Sequence, residues 1–152
     1  MPLISLMCSF LLTSRRDKTN KIIGDRAFSN KVKIVSKLGD YCIKLYTKNG
    51  IGTVIKHIPG HGLAVNDSHF STPLVNEKKK ILNSIDFLAF KNKKSLFAMT
   101  AHIIYSQYDS TNTATPSKII IDDIIRKKLK FRHLLISDDI CMKALKLSHI
   151  HI

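Results

Sequence analysis

The chain has 152 residues, of which 44% are hydrophobic and 24% charged, a composition that predicts one globular domain with its own core. Its formal net charge of +14 could attract nucleic acid, but tryptophan is absent and only 7% of the residues are aromatic, which argues against a surface on which bases stack. Three cysteines, Cys8, Cys42 and Cys141, form no CxxC pair, so neither a disulfide framework nor a thiolate zinc site is indicated. We therefore expect a reduced, cytoplasmic protein with no nucleic-acid partner.

The first predicted element is an apolar segment from Leu3 to Leu12. Its length of about ten residues is too short to cross a bilayer. The basic pair Arg15-Arg16 follows the apolar run instead of preceding it, which is the wrong order for a secretory signal. We expect a soluble segment with the character of a damaged strand, and no membrane partner.

Three later apolar runs have the length of buried strands, and polar residues follow each of them. They are Gly52–Ile55 before Lys56-His57, Leu96–Thr100 before His102, and His133–Ile136 before Ser137-Asp138-Asp139. Between them, apolar residues recur three and four positions apart, which predicts helices: Val32 to Leu45 with Gly50 as the stop, Lys78 to Phe90, and Ile120 to Leu129 with Ser117 as the cap. This alternation predicts parallel βαβ units whose active site lies at the carboxyl ends of the strands.

Residues 56–69 form the densest group of titratable side chains, with the segment KHIPGHG followed by Asp67-Ser68-His69. One proline and two glycines exclude a helix in the first segment, so we predict an active-site loop. The histidines and the aspartate are ligand types that suit zinc, but their spacing matches no helix-borne metal motif. We therefore expect no metal and no cofactor.

Five motifs occur in an order that resembles family 3 glycoside hydrolases, and among these the bacterial β-N-acetylhexosaminidases that recycle cell-wall fragments. The motifs are IIGDRAFS at 22–29, KHIPGHG at 56–62, DSH at 67–69, MTAHI at 99–103, and ISDD with MKAL at 136–145. The resemblance implies the α/β class and a TIM-type (β/α)8 barrel. Only about half of the eight βα units of such a barrel are recognisable in this chain.

The resemblance also implies a role for each matching residue. Asp138 is expected to be the nucleophile that forms a covalent glycosyl-enzyme, so that two inverting displacements retain the anomeric configuration, and Asp139 is expected to support it. His69 is expected to be the general acid/base, with Asp67 orienting its ring. The implied substrate is a muropeptide or chitooligosaccharide that ends in N-acetylglucosamine. The implied substrate-binding residues are Arg26, Lys56, His57 and His102.

The resemblance divides the chain into an unmatched segment at 1–18, a partial barrel domain at 19–147 and a short tail at 148–152. A half barrel has two unpaired strand edges. We therefore expect that this chain alone is poorly soluble or molten, and that activity requires a complementary barrel fragment or a second copy. Two alternatives stay open: a catalytically inactive remnant of the enzyme from a split or decaying gene, and, as a more distant one, a basic nucleic-acid-binding module.

Overall fold

The computed structural model describes residues 7–11, 27–64 and 72–141. Its strands and helices are, in chain order, β1 (Met7–Leu11), α1 (Val32–Lys48), β2 (Gly52–Ile58), β3 (Leu74–Val75), α2 (Lys79–Ser84), a 3-10 helix (Phe87–Phe90), β4 (Phe97–Thr100), β5 (Ile104–Tyr105), a π-helix (Ile120–Lys128) and β6 (Leu134–Ile136). Within these described ranges, no helix is long and apolar enough to cross a membrane.

Four of the strands form one parallel sheet in the order β1-β2-β4-β6, and β3 pairs with β5 in a second, two-stranded parallel sheet. Helices lie between successive strands of the larger sheet, which confirms the predicted alternation of strand and helix. All five residues of β1 pair with β2, from Met7 opposite Gly52 to Leu11 opposite Lys56. The apolar segment near the start of the sequence therefore contributes a fully paired strand to this sheet.

Helix α1 follows the predicted apolar pattern. Val35, Gly39 and Ile43, which are four residues apart, form its buried face and pack towards β2 and the 3-10 helix. The helix ends at Lys48, and Gly50 adopts a φ of 74°, which lies in the left-handed region that glycine occupies without strain. The prediction that Gly50 stops this helix is confirmed.

Two predicted elements have different bounds from those that the sequence suggested. The strand that was expected to end at Ile55 continues to Ile58, so Lys56 and His57 belong to β2 itself. The helix expected from Lys78 to Phe90 is split into α2 and the 3-10 helix, with Ile85 and Asp86 between them. The physical reason for the break is the buried Asp86, whose carboxylate faces the loop after β2 instead of solvent.

The helix predicted around Ile120 is present, but its hydrogen-bond pattern is that of a π-helix. Ser117 does act as the predicted cap, because its Oγ accepts a hydrogen bond of 3.2 Å from the backbone N–H of Ile120. The apolar face of this helix joins the core between the sheet and the helices. The core also contains buried side chains from α1, the strands and the 3-10 helix, among them Val35, Ile55, Phe87, Phe90, Ala98, Ile120, Ile124, Ile125, Leu129 and Phe131.

Candidate active site

The carboxyl ends of β2, β4 and β6 lie side by side at one edge of the sheet, since the three strands are parallel and adjacent. The register pairs Lys56 with Met99, and Met99 with Ile136. The polar residues that follow these positions are therefore neighbours in space, as the sequence pattern predicts. They are His57 in β2, His102 after β4, and Asp138 and Asp139 after β6.

His57 and Asp138 form the central contact of this cluster. Nε2 of His57 lies 3.2 Å from Oδ2 of Asp138, and the two side chains are 18% and 26% exposed. The backbone N–H of Asp139 donates a second hydrogen bond, of 2.9 Å, to Oδ1 of Asp138. Both carboxylate oxygens of Asp138 thus have a fixed donor, which sets the orientation of the carboxylate plane.

These contacts determine the charge of Asp138. The hydrogen bond from His57 is the largest influence and holds the pKa of Asp138 well below its usual range, while partial burial acts in the opposite direction. The N–H of Asp139 and the positive charges that His57 and His102 can carry lower this pKa further. Asp138 is therefore a carboxylate throughout the neutral pH range, which is the form that can act as a nucleophile.

The loop after β2 brings His61 against His57, with ring centroids 5.5 Å apart and the ring planes tilted by 57°. Asp86, which is 4% exposed, holds this loop in place. Its Oδ1 accepts a hydrogen bond of 2.9 Å from the N–H of Gly62, and its Oδ2 accepts one of 3.3 Å from the N–H of Leu63. The loop therefore has an acidic anchor that lies more than twenty residues away in sequence.

Gly60 allows the close approach of this loop to its anchor. A Cβ atom at position 60 would lie 2.6 Å from Cβ of Asp86, closer than real Cβ atoms come to one another. Tyr105 fixes the same residue from a third element, because its fully buried hydroxyl donates a hydrogen bond to the carbonyl of Gly60. Burial, and secondly the charge of Asp86, raises the pKa of Tyr105, so this hydroxyl stays protonated and keeps its donor.

His102 lies behind the Asp138-Asp139 pair and is 2% exposed. Its Nε2 lies 3.0 Å from the carbonyl oxygen of Asp139, and its Nδ1 lies 2.7 Å from Oγ1 of Thr115. A carbonyl oxygen can only accept, so the proton of the neutral ring is on Nε2. Both ring nitrogens of His102 are thus bound within the protein.

The remaining predicted site residues are less completely described. Lys56 is partly exposed and precedes His57 in β2. Arg26 and the proposed acid/base dyad of Asp67 and His69 lie outside the described residues, so their roles stay predictions. Among the residues that the structure does describe, no group of three or more histidine, cysteine, aspartate or glutamate side chains could hold a metal ion.

Sequence patterns did not identify three residues that shape this site, namely Asp86, Tyr105 and Thr115. One of them does carry a signal, because Asp86 interrupts an apolar run between Ile85 and Phe87 in a segment that was predicted to face the core. A carboxylate at such a position requires buried donors. Nothing comparable distinguishes Tyr105 or Thr115 from ordinary core and loop residues.

The chain is similar in sequence to known glycoside hydrolases. The family model for the glycosyl hydrolase family 3 N-terminal domain matches residues 11–151. A curated protein from Haemophilus influenzae named beta-hexosaminidase is 40% identical over 121 residues, which are 77% of this chain and 34% of that protein. The chain thus spans about a third of the length of the curated relatives that it matches.

Most of the chain also resembles solved structures, among them the following two. The β-N-acetylglucosaminidase from Thermotoga maritima matches with a TM-score of 0.79 and 32% identity, over 95% of this chain and 31% of that one. NagZ from Neisseria gonorrhoeae, solved in complex with N-trifluoroacetyl-D-glucosamine, matches with a TM-score of 0.80 and 27% identity, over 93% of this chain and 44% of that one.

Proposed function

The chain belongs to the glycosyl hydrolase family 3 N-terminal domain family, and we propose that the cluster at its strand ends is part of the active site of a retaining β-N-acetylhexosaminidase. Its parallel sheet with intervening helices is part of the TIM-type α/β barrel of this family. The observation that carries the proposal is the Asp138 carboxylate, which is kept ionised at the carboxyl end of β6 by His57 and by the N–H of Asp139.

In the proposed reaction, one oxygen of Asp138 attacks the anomeric carbon while the bond to the leaving oxygen breaks, which gives a covalent glycosyl-enzyme. Water then attacks the same carbon and releases Asp138, so two inversions give net retention. The contacts of His57 and Asp139 restrict rotation of the carboxylate before the reaction, so less conformational entropy is lost when the carboxylate reaches the transition state.

Proton transfer is assigned to His69, with Asp67 orienting its ring. An imidazole with an ordinary pKa near ~6.5 can protonate the leaving oxygen in the first step and deprotonate water in the second, both near neutral pH. Arg26, Lys56 and His57 are proposed to bind the sugar hydroxyls and the acetamido group. His57 would then contact both the nucleophile and the substrate.

The proposed substrate is a muropeptide or chitooligosaccharide with a terminal N-acetylglucosamine. Its support is the sugar analogue bound by the Neisseria gonorrhoeae relative, an N-acylated glucosamine. A cytoplasmic role in peptidoglycan recycling agrees with the absence of any CxxC pair or apparent disulfide framework in the sequence.

We further propose that a complementary barrel fragment completes the site. Residues 7–11, 27–64 and 72–141 contain four strands of the main sheet, with β1 and β6 at its edges, whereas a closed barrel of this type has eight. Large apolar side chains are also exposed, including Leu38 and Tyr41 on α1 and Leu134 on the edge strand β6. A fragment with the remaining units would pair the edges and cover these side chains.

An assembly experiment tests this function. The chain is mixed with the part of the Haemophilus influenzae relative that it does not match, and hydrolysis of an aryl N-acetyl-β-glucosaminide is measured. We expect no turnover by the chain alone and turnover by the assembly, with a glycosyl adduct on Asp138 detectable by mass spectrometry. Asp138→Ala should reduce the rate by ~10⁴-fold or more, and His69→Ala by ~10²–10⁴-fold.

Asp123→Ala serves as the matched control for these variants, since Asp123 is exposed on the π-helix and its carboxylate forms an ion pair with the neighbouring Lys127. It should leave turnover unchanged. An assembly that forms without turnover would overturn the hydrolase proposal and support the inactive remnant. Turnover by the chain alone, abolished by Asp138→Ala, would retain the hydrolase and overturn the need for a second fragment.

A further inference from the structure

The backbone of Asp139 connects the proposed nucleophile to a buried network behind it. On one side, the N–H of Asp139 donates a hydrogen bond of 2.9 Å to Oδ1 of Asp138. On the other side, the carbonyl of Asp139 accepts a hydrogen bond of 3.0 Å from Nε2 of His102. The two hydrogen bonds belong to the successive peptide units that meet at Cα of Asp139, so the His102 ring acts on the donor to Asp138 through a single backbone atom.

The hydrogen bonds behind His102 have a definite direction. Because Nε2 must donate to a carbonyl, Nδ1 of the neutral ring carries the lone pair and accepts the hydroxyl proton of Thr115 over 2.7 Å. Oγ1 of Thr115 then accepts from the hydroxyl of Thr100, which is 2.9 Å away. Each hydroxyl also has a more distant acceptor at 3.4 Å, the carbonyl of Ala101 for Thr115 and that of Ile136 for Thr100. The shorter contacts form a chain from Thr100 through Thr115 and His102 to Asp139.

The loop that carries Thr115 is itself held rigidly. Asp109 accepts hydrogen bonds of 3.0 Å from the backbone N–H groups of Thr111 and Asn112, and one of 2.6 Å from the hydroxyl of Ser117. The backbone N–H of Ala114 donates a hydrogen bond of 2.8 Å to the carbonyl of Ile103, next to His102. Thr115 is therefore a fixed partner for the ring and not a mobile hydroxyl.

We propose that His102 is a positioning residue that holds the Asp138 carboxylate through the backbone of Asp139, and that Thr115 sets the ring tautomer this requires. The proposal deepens the proposed function, on which its catalytic consequence rests. It differs from the role that sequence resemblance implied for His102, which was contact with the sugar. A ring that is 2% exposed and bonded at both nitrogens has no free polar atom for a ligand.

The test uses two amide substitutions that distinguish the role of Nε2 of the imidazole from that of Nδ1. His102→Gln places an amide nitrogen near the position of Nε2 and can still donate to the Asp139 carbonyl. His102→Asn places its amide nitrogen near the position of Nδ1 and loses that donor. The titration of the Asp138 carboxyl is followed by carbon-13 NMR in the full chain, so that this readout needs no enzymatic activity.

We expect the titration midpoint of Asp138 in His102→Asn to move up towards the ordinary aspartate value of ~3.9. In His102→Gln it should move less, because glutamine keeps the donor to the Asp139 carbonyl and loses only the charge that His102 can carry. At pH 8, long-range nitrogen-15 spectra of the parent should show His102 with its proton on Nε2. Thr115→Val, which removes one hydroxyl and keeps the ring, should give a mixture of tautomers where Thr115→Ser does not.

In the assembled barrel, His102→Asn should lower kcat by ~10²-fold, the effect typical of a misplacement of about 1 Å, with KM nearly unchanged, and His102→Gln should recover most of this loss. An Asp138 midpoint that is the same in all these variants, or a parent ring with its proton on Nδ1, would overturn the proposal. If the midpoints move as expected but no assembly hydrolyses the sugar, His102 positions Asp138 and the hydrolase function is the part that fails.

Discussion

Asp138 is the central charged residue of the site, and both of its carboxylate oxygens accept hydrogen bonds. Its pKa in the folded chain lies below the ordinary value of ~3.9 that applies in the unfolded chain. Between these two pKa values the unfolded chain binds more protons, so the free energy of unfolding rises with pH in that interval. The stabilisation is fully present above the unfolded pKa and is lost as the pH falls towards the folded one.

We therefore expect Asp138→Asn to flatten the acid side of the stability profile. The free energy of unfolding in urea is measured from about pH 2.5 to about pH 6.5, a range that brackets the aspartate pKa. In the parent this free energy should decrease as the pH drops under about 4, and in the variant it should decrease less steeply. His57→Phe should have a similar effect, since it removes the strongest donor to this carboxylate. Identical acid slopes in parent and variants would contradict the paired geometry of His57 and Asp138.

Asp109 provides an independent comparison in the same pH interval. Partial burial acts to raise the pKa of Asp109, but hydrogen bonds from Ser117, Asn112 and Thr111 outweigh it and hold this pKa well below the usual range. Asp109→Asn should therefore also flatten the acid slope, although Asp109 makes its contacts in the loop before the π-helix.

At the residue scale, the position of polar residues relative to apolar runs in the sequence was sufficient to locate part of the site. Asp138, His57 and His102 each lie within or directly after an apolar run, and such runs form adjacent parallel strands. The partner of His102 could not be located in this way. Thr115 lies thirteen residues further along in a polar loop, and its contact depends on how that loop folds back over β4.

At the scale of elements, the loop after β2 is the part of the site whose shape depends on distant segments. Asp86, between α2 and the 3-10 helix, binds its backbone at Gly62 and Leu63. Tyr105 of β5 binds the carbonyl of Gly60. Because this loop also carries His61, which packs against His57, the two anchors support the histidine that holds Asp138.

Replacement of Asp86 tests this arrangement. Asp86→Ala leaves the buried N–H of Gly62 and the partly buried N–H of Leu63 without their acceptor, and we expect the free energy of unfolding to fall by about 2–4 kcal/mol. Asp123→Ala is the matched control, because it removes an equally charged side chain from an exposed ion pair and should cost ~0–1 kcal/mol. Chemical denaturation of both variants at pH 7 measures the difference, and equal losses would show that Asp86 does not anchor the loop.

The same anchor explains why one helix prediction was wrong. The spacing of Ile81, Leu82, Ile85 and Leu88 predicts a continuous helix, and that pattern records only which side of the segment is apolar. It does not record that Asp86 is bound to a loop that precedes it by more than twenty residues. The chain turns at Ile85, which places Asp86 beneath Gly60 and lets Phe87 and Phe90 enter the core.

At the scale of the whole molecule, α1 shows the clearest contrast between its two faces. One face is buried against β2 and the 3-10 helix. The other face has an apolar stripe of Ile34, Leu38, Tyr41 and Leu45, between 39% and 64% exposed, with a groove of about 410 Å³ lined by its first three members and Lys37. In a closed barrel, every such helix packs between two neighbours, so this stripe is where a further βα unit would contact α1.

Substitution of this α1 stripe tests whether it is the contact for a complementary fragment. In the double variant Leu38→Ser/Tyr41→Ser, two apolar side chains are lost from the contact, at about 1.5 kcal/mol or more each, so Kd for the unmatched part of the Haemophilus influenzae relative should rise about a hundredfold. The control Lys33→Ser/Lys44→Ser removes two exposed side chains from the same helix and should leave Kd within a few-fold. Titration calorimetry measures both, and an unchanged Kd in the stripe variant would exclude α1 from the interface.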